Sequence, residues 1–201
     1  MSVCIILDTS TLTYMHESWL HGVRSAVHHA RESVTHPRTQ EALARRRVAE
    51  YLSRVLGDYC LYGATCYVTK SIKDEVEALA GEYRDLYEAI KDFLDKARVG
   101  EVSAVATREF EFVKSVAERR GYRVVESPEL EWRLKRRGIR ALTYGDIEAI
   151  ATALSRGCTL VTGDKDVYQL AREVGAKVLY LYEDYVQEPI KRVAKRVLPR
   201  R

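Results

Sequence analysis

The stretch "TYGDIEAIATALSRGCTLVTGDKDV", residues 143–167, decides the fold. An apolar, alanine-rich pattern of helical spacing begins at Asp146 and ends at Gly157, and the strand-like run "CTLVT" follows it. That run ends at Gly163 and Asp164. Helix capping and turn formation explain each aspartate separately. Two carboxylates brought to the same edge of a sheet explain both together.

Strand-like runs alternate with helical patterns along the rest of the chain. The runs at 2–8, 66–69 and 177–182 are continuously apolar, which is typical of buried parallel strands. The apolar stripe from Ile72 to Leu94 predicts one long helix, and a second helical pattern runs from about Val102 to Arg119. We therefore expect an α/β fold with three layers, in which helices cover both faces of a central, mostly parallel sheet.

Length and composition favour one globular domain. The chain has 201 residues, of which 46% are hydrophobic and 31% charged, and it shows no internal repeat or linker. We expect a single domain at 1–187, with helical elaborations at about 12–65 and 96–128, and a basic tail at 188–201. No apolar run is long enough to cross a bilayer, and the first is too short for a signal peptide. The expectation is a soluble, cytoplasmic protein without a membrane partner.

Charge and cysteine content are less decisive. The net charge is +4 and Arg outnumbers Lys, which permits a nucleic-acid partner but equally suits a thermophile. The four cysteines form no C-x-x-C pair and no zinc-finger spacing with histidine. Cys4 and Cys158 lie in or beside apolar runs and are expected to be buried thiols. Whether Cys60 and Cys66 form a bridge is left open.

Four acidic residues are predicted to meet at the carboxyl edge of the sheet. Asp8 ends the first strand and Asp164 follows a later one, while Glu75 and Asp146 lie near the starts of helices that follow strands. Each has a simpler explanation as a cap, a turn residue or a first-turn acid. Four crowded carboxylates, however, repel one another unless a cation neutralises them, and hard oxygen ligands favour Mg²⁺ or Mn²⁺. Such a cluster suits metal-assisted hydrolysis of a phosphodiester.

Four motifs resemble, in order, those of the PIN-domain nucleases. They are "ILDTS" (6–10), "SIKDEV" (71–76), "GDIEAIATAL" (145–154) and "LVTGDKDV" (160–167). The resemblance implies a three-layer fold and metal-dependent, usually endonucleolytic, cleavage of RNA. By motif match it implies a role for each of these residues: catalytic and metal-binding Asp8, Glu75, Asp146 and Asp164; a further metal ligand or supporting group at Asp166; supporting hydroxyls at Ser10 and Thr162.

Two biological roles fit that resemblance: a toxin silenced by a small antitoxin, or a nuclease of RNA processing. A homodimer is frequent in the family. A basic cluster upstream of Asp146 is a candidate guide for the RNA backbone, although a solvated helix end explains it equally well. Its members are Lys135, Arg136, Arg137 and Arg140. The alternative function is a catalytically inactive PIN-like scaffold that binds RNA or protein. A nucleotide-binding domain is disfavoured because no glycine-rich phosphate loop follows the first strand.

Overall fold

The structure is a computed structural model that describes residues 3–13, 59–60, 62, 64–81, 83–102 and 107–181. Most of the expected elaboration at 12–65 and the whole basic tail at 188–201 lie outside the described residues. Among the residues described, no helix is long and apolar enough to cross a membrane.

A five-stranded, fully parallel sheet forms the centre of the molecule, with a separate parallel pair of strands beside it. The described strands are β1 (Val3–Leu7), β2 (Ala64–Thr69), β3 (Gly100–Val102), β4 (Arg123–Val125), β5 (Ala141–Thr143), β6 (Thr159–Thr162) and β7 (Lys177–Tyr180). The order in the central sheet is β3-β2-β1-β6-β7, and β4 pairs with β5. Ile5, Ile6 and Leu7 of β1 and Leu160 and Val161 of β6 are buried because helices cover the central strands, as the uninterrupted apolar runs predict.

Helices flank this sheet and complete the three-layer α/β/α arrangement that the sequence predicts. They are α1 (Lys70–Ala78), α2 (Arg84–Lys96), α3 (Thr107–Arg119), α4 (Pro128–Arg136), α5 (Tyr144–Arg156) and α6 (Lys165–Glu173). Helix α5 packs against β1, β2 and β6 and also contacts α1, α3 and α6. Ile147 and Ile150 of α5 are fully buried. This central position explains why α5 is apolar on nearly every side.

Two local expectations were wrong. The stripe from Ile72 to Leu94 is not one helix, because α1 ends at Ala78 and a short 3₁₀ turn (Leu79–Gly81) precedes α2. The apolar spacing persists across the break because both helices pack on the same core. The segment near Val102 is a strand, β3, and the helix described after it is α3, which spans Thr107–Arg119. Strands of three residues, such as β3, are too short to give a period-two signal.

Cysteine chemistry also differs from expectation. Cys4 and Cys158 are not free thiols but form a disulfide with a Cα–Cα distance of 4.7 Å. The pairing follows from the sheet: Ile5 of β1 is opposite Thr159 of β6, which places the two preceding cysteines side by side. Cys60 and Cys66 form a second disulfide. Disulfides persist mainly in oxidising compartments and in intracellular proteins of hyperthermophiles, so cytoplasmic location stays a prediction.

The two disulfides should differ in their effect on stability. Cys4–Cys158 closes a segment with a sequence separation of 154, whereas Cys60–Cys66 spans only 6. Loop-closure entropy then predicts that the double variant Cys4→Ala/Cys158→Ala lowers the free energy of unfolding by about 5 kcal/mol, and Cys60→Ala/Cys66→Ala by about 2 kcal/mol. Urea unfolding of both variants measures this. Detection of four reactive thiols in denatured wild-type protein that has not been treated with a reductant would contradict both disulfides.

Candidate functional site

The site lies where the strand order reverses. Strand β1 pairs with β2 on one side and β6 on the other, so the carboxyl ends of β1 and β6 form the crevice in which open parallel sheets bind ligands. Asp8 follows β1 directly and is only 3% exposed. Its Oδ2 accepts hydrogen bonds from the hydroxyls of Ser10 (2.5 Å) and Thr162 (2.7 Å). These are the two residues expected to support the carboxylates, and both contact Asp8.

Asp164 lies across this crevice, at the N-cap of α6. Its Oδ1 accepts hydrogen bonds from the backbone N–H groups of Asp166 (2.6 Å) and Val167 (3.3 Å). Asp164 is therefore a helix-capping residue, as the simpler explanation from the sequence has it. Its Oδ2 accepts a hydrogen bond from the Lys135 ammonium at 3.0 Å. The turn is tied to β1 because the Gly163 N–H donates to Ser10 Oγ at 2.9 Å. One carboxylate therefore both caps a helix and faces the crevice.

Asp146 also serves as a cap while facing the other acids. The Thr143 hydroxyl accepts from the Asp146 N–H at 3.0 Å, and Asp146 Oδ2 accepts from the Thr143 N–H at 2.7 Å, which is a reciprocal capping box. The helix begins at Tyr144, two residues before the expected start. The cap fixes the orientation of the Asp146 carboxylate against the end of β5.

Glu75 reaches the site from α1. Its carboxylate accepts hydrogen bonds from the hydroxyls of Thr9 (2.5 Å) and Thr143 (3.4 Å). The close approach depends on Gly145, because a Cβ at that position would lie 2.6 Å from Glu75 Oε1. Neighbouring acids of the same helix, Asp74 and Glu77, are exposed. The structure thus directs Glu75, rather than either neighbour, toward α5.

Burial and mutual repulsion perturb these carboxylates. Burial is the largest cause that raises the pKa of Asp8, and the charge of Asp164 adds to it. Burial followed by the charges of Asp8 and Glu131 raises the pKa of Asp146 well above its usual range. The pKa of Glu75 rises from 4.5 to about 7, again through burial first and the charge of Asp8 next. The charges of Asp8 and Asp164 therefore act on other carboxylates of the predicted set.

Sequence reasoning missed a fifth acid, Glu131. It lies on α4, and burial together with the charges of Asp164 and Asp8 raises its pKa, while Lys135 opposes the rise. The Lys135 ammonium lies 2.6 Å from Glu131 and 3.0 Å from Asp164. The spacing of four residues between Glu131 and Lys135 predicts an ion pair along one face of α4, but it does not show that this face reaches Asp164.

Lys135 therefore lies among the acids. Burial lowers its pKa, but the charges of Asp164 and Glu131 outweigh this and raise the pKa above its ordinary value. Its ammonium is also 3.9 Å from Asp166. Lys135 supplies a positive charge at the place where the sequence predicts a cation. Its expected contact with RNA stays a prediction.

The other residues of the predicted basic cluster take different positions. Arg140 stacks on the Tyr122 ring at 3.8 Å and lies 3.5 Å from Asp166. The Tyr122 hydroxyl donates to Asp166 at 3.0 Å, and burial and then the charge of Asp166 raise its pKa to about 12. Arg136 lies over the Trp132 ring, and Arg137 is exposed at the end of α4. Asp166 thus interacts with Arg140 and Tyr122 beside the cluster.

The carboxylate oxygens of the candidate site are the type of ligand that Mg²⁺ and Mn²⁺ prefer. Asp8, Glu75, Asp146 and Asp164 present hard oxygen atoms, and repulsion among them contributes to the raised pKa values of the first three. Within the described part of the chain, however, no three carboxylate, imidazole or thiol side chains are grouped closely enough to hold a metal ion as they stand. Binding an ion would require these side chains to rearrange, beginning with the Lys135 contact to Asp164.

No family model matches the chain, and no curated protein sequence matches it. A domain of a functionally unknown protein from Methanocaldococcus jannaschii DSM 2661 is a similar solved structure, with 14% identity and a TM-score of 0.42. The match covers 89% of this chain and 91% of that one.

The raised pKa of Glu75 predicts how stability depends on pH in EDTA. Between 4.5 and about 7 the native Glu75 keeps its proton while the unfolded chain has released it, so stability falls as pH rises through this window. Glu75→Gln has no such proton. Its stability relative to wild type should therefore rise by up to about 3 kcal/mol from pH 5 to pH 8, measured by urea unfolding.

The matched control for this experiment is Glu77→Gln, which removes an exposed acid from the same helix. Its pH profile should run parallel to that of wild type. A constant difference between Glu75→Gln and wild type across the whole pH range would contradict the buried, protonated Glu75.

Proposed function

We propose that the protein is a metal-dependent ribonuclease of the PIN type that hydrolyses phosphodiester bonds of RNA endonucleolytically with Mg²⁺ or Mn²⁺. The observation that carries the proposal is the hydrogen bonding that links the four acids in pairs beside the reversal of strand order: Thr162 contacts Asp8 and Asp164, and Thr143 contacts Glu75 and Asp146. These acids come from four separate motifs. Burial is the largest cause of the raised pKa values of Asp8, Glu75 and Asp146, and in each case the charge of another of the four acids adds to it. Caps account for Asp146 and Asp164, and Asp8 itself precedes a helical segment at 9–13, but capping does not explain why Asp8 is only 3% exposed beside the charge of Asp164.

In the proposed enzyme, the residues of the candidate site have different roles. Asp8, Asp146 and Asp164 would hold the cation, with Glu75 as a further ligand or a base that receives a proton from water. A bound ion would supply Lewis acidity and an activated water. Ser10 and Thr162 orient Asp8, while Thr9 and Thr143 orient Glu75 through their hydroxyls. Arg140 lies beside Asp166 at the rim, where it would contact RNA phosphate.

Asp146→Asn tests the activity directly. Asparagine keeps an oxygen to accept from the Thr143 N–H, so the capping box and the fold should survive while one negative charge is lost. We expect metal-dependent cleavage of an RNA panel by wild type, abolished by EDTA, and at least about a hundredfold slower cleavage by the variant.

Asp74→Asn provides the control for charge removal, because Asp74 is an exposed acid next to Glu75. Its cleavage rate should equal that of wild type. Equal cleavage by wild type and Asp146→Asn would contradict the proposed site, and absence of metal binding by wild type would contradict the metal-dependent function.

A second candidate function rests on Lys135. Its ammonium neutralises Asp164 and Glu131 from within the chain, which is the arrangement expected of a PIN-like scaffold that no longer needs a metal. In the ribonuclease, by contrast, Lys135 is a charge that a divalent ion must displace. The two functions predict opposite results when Lys135 is replaced.

Lys135→Met separates them. For the ribonuclease we expect Mn²⁺ to bind about tenfold more tightly to the variant, because a like charge near the ion has been removed, as measured by calorimetry. For the scaffold, neither protein binds Mn²⁺ and the variant is only less stable. Lys73→Met is the control, since Lys73 pairs with Glu101 at 2.9 Å on the exposed surface. Its Mn²⁺ affinity should match that of wild type.

A further inference from the structure

Helix α4 has three faces that follow one another around its axis: one packs in the core, one faces the candidate site and one faces outward. Leu134 is buried against Val125 and Ala141. Next around the helix are Glu131 and Lys135, and the Lys135 ammonium contacts both Glu131 and Asp164 of the candidate site. Trp132 follows Glu131 by about 100° and marks the outward face. The site and the outward face of α4 are therefore adjacent.

The outward face carries an exposed aromatic side chain. Trp132 is 59% exposed, although tryptophan is normally largely buried. The Arg136 guanidinium lies 4.7 Å from the centre of the Trp132 ring, so the two side chains form a flat, positively charged patch on the outside of the protein. Arg133 belongs to the same basic last turn of α4. An exposed tryptophan stacked with arginine is the chemistry that binds nucleobases in single-stranded nucleic acids.

We propose that Trp132 and Arg136 form a base-stacking platform that binds unpaired bases of single-stranded RNA a few nucleotides from the bond that is cleaved. The inference rests on the proposed ribonuclease function and assigns it a substrate form. A duplex keeps its bases stacked inside, so it cannot offer a base to Trp132 without being opened. A single strand can place a phosphate at the acids while a neighbouring base stacks on the indole.

The positions of the charged side chains also favour single-stranded RNA as the ligand. The acids at the crevice repel a phosphate backbone until a cation is bound, so binding has to be supplied by groups outside the acidic cluster. Arg136 and Arg133 add positive charge on α4, and Arg140 lies close to Asp166 at the rim. A partner with both negative charge and flat aromatic groups matches this surface, and single-stranded RNA has both.

The test measures binding in EDTA, where metal-dependent cleavage is suppressed. A fluorescein-labelled 12-nucleotide RNA without internal pairing is titrated with full-length protein, alongside the same strand in a duplex. We expect tighter binding of the single strand by wild type, and about 5- to 150-fold weaker binding by Trp132→Ala. Trp132→Phe keeps a stacking ring and should recover most of the affinity. Tyr83→Ala removes an aromatic side chain that is 45% exposed beyond α1, and should bind as wild type does.

Tryptophan emission gives a second readout. The chain contains two tryptophans, at positions 19 and 132. Single-stranded RNA should quench the emission of wild type, and this quenching should be lost in Trp132→Phe although that variant still binds. Quenching that persists in Trp132→Phe would show that the base stacks elsewhere and would overturn the platform.

The remaining outcomes separate the platform from the enzyme. Equal affinity of wild type and Trp132→Ala, equal affinity for single strand and duplex, or no RNA binding at all overturns the platform, whatever the cleavage assay shows. Loss of affinity in Trp132→Ala together with no metal-dependent cleavage supports the platform and overturns the ribonuclease. If Trp132→Ala does not fold, the comparison of Trp132→Phe with wild type in both readouts decides the question.

Discussion

The buried carboxylate of Asp8 is the constraint on which the rest of the site depends. A carboxylate that is 3% exposed at the centre of a parallel sheet is costly unless it is hydrogen-bonded and its charge compensated. The chain supplies the hydrogen bonds from Ser10 and Thr162, and the latter hydroxyl also accepts from the Asp164 N–H at 3.0 Å. These bonds hold the end of β1 and the turn after β6 together, so the burial of one charge organises both sides of the crevice.

The sequence predicts the fold well where burial is strong. β1 and β6 are continuous apolar runs, and α5 has an apolar pattern closed by Gly157, which adopts the left-handed conformation with φ of 65°. Such signals depend only on local spacing. The break between α1 and α2 was not predictable from the same spacing, because both helices contribute apolar residues to one core and the stripe therefore continues through the turn at Leu79–Gly81.

The candidate site was predictable for residues that follow strands or lie near the starts of helices that follow strands. Asp8 and Asp164 are fixed by strand ends, which the sequence locates. Glu131 belongs to α4, whose approach to the crevice depends on the packing of Leu134 against the small β4-β5 sheet. No periodicity within α4 reveals which face meets a distant strand end. The Cys4–Cys158 bridge escaped prediction for the same reason, since it depends on the register between β1 and β6.

Lys135 shows why charge pattern alone gives an incomplete account of such a helix. Its neighbours in the basic run are exposed, whereas its own ammonium is drawn among carboxylates whose combined charge outweighs the cost of its burial. The same charge that stabilises the acids without a metal competes with any divalent ion. In the proposed ribonuclease, displacement of Lys135 by the ion would free a cation on the helix that carries Trp132. The proposed metal binding and the proposed RNA binding would then favour one another through a single helix.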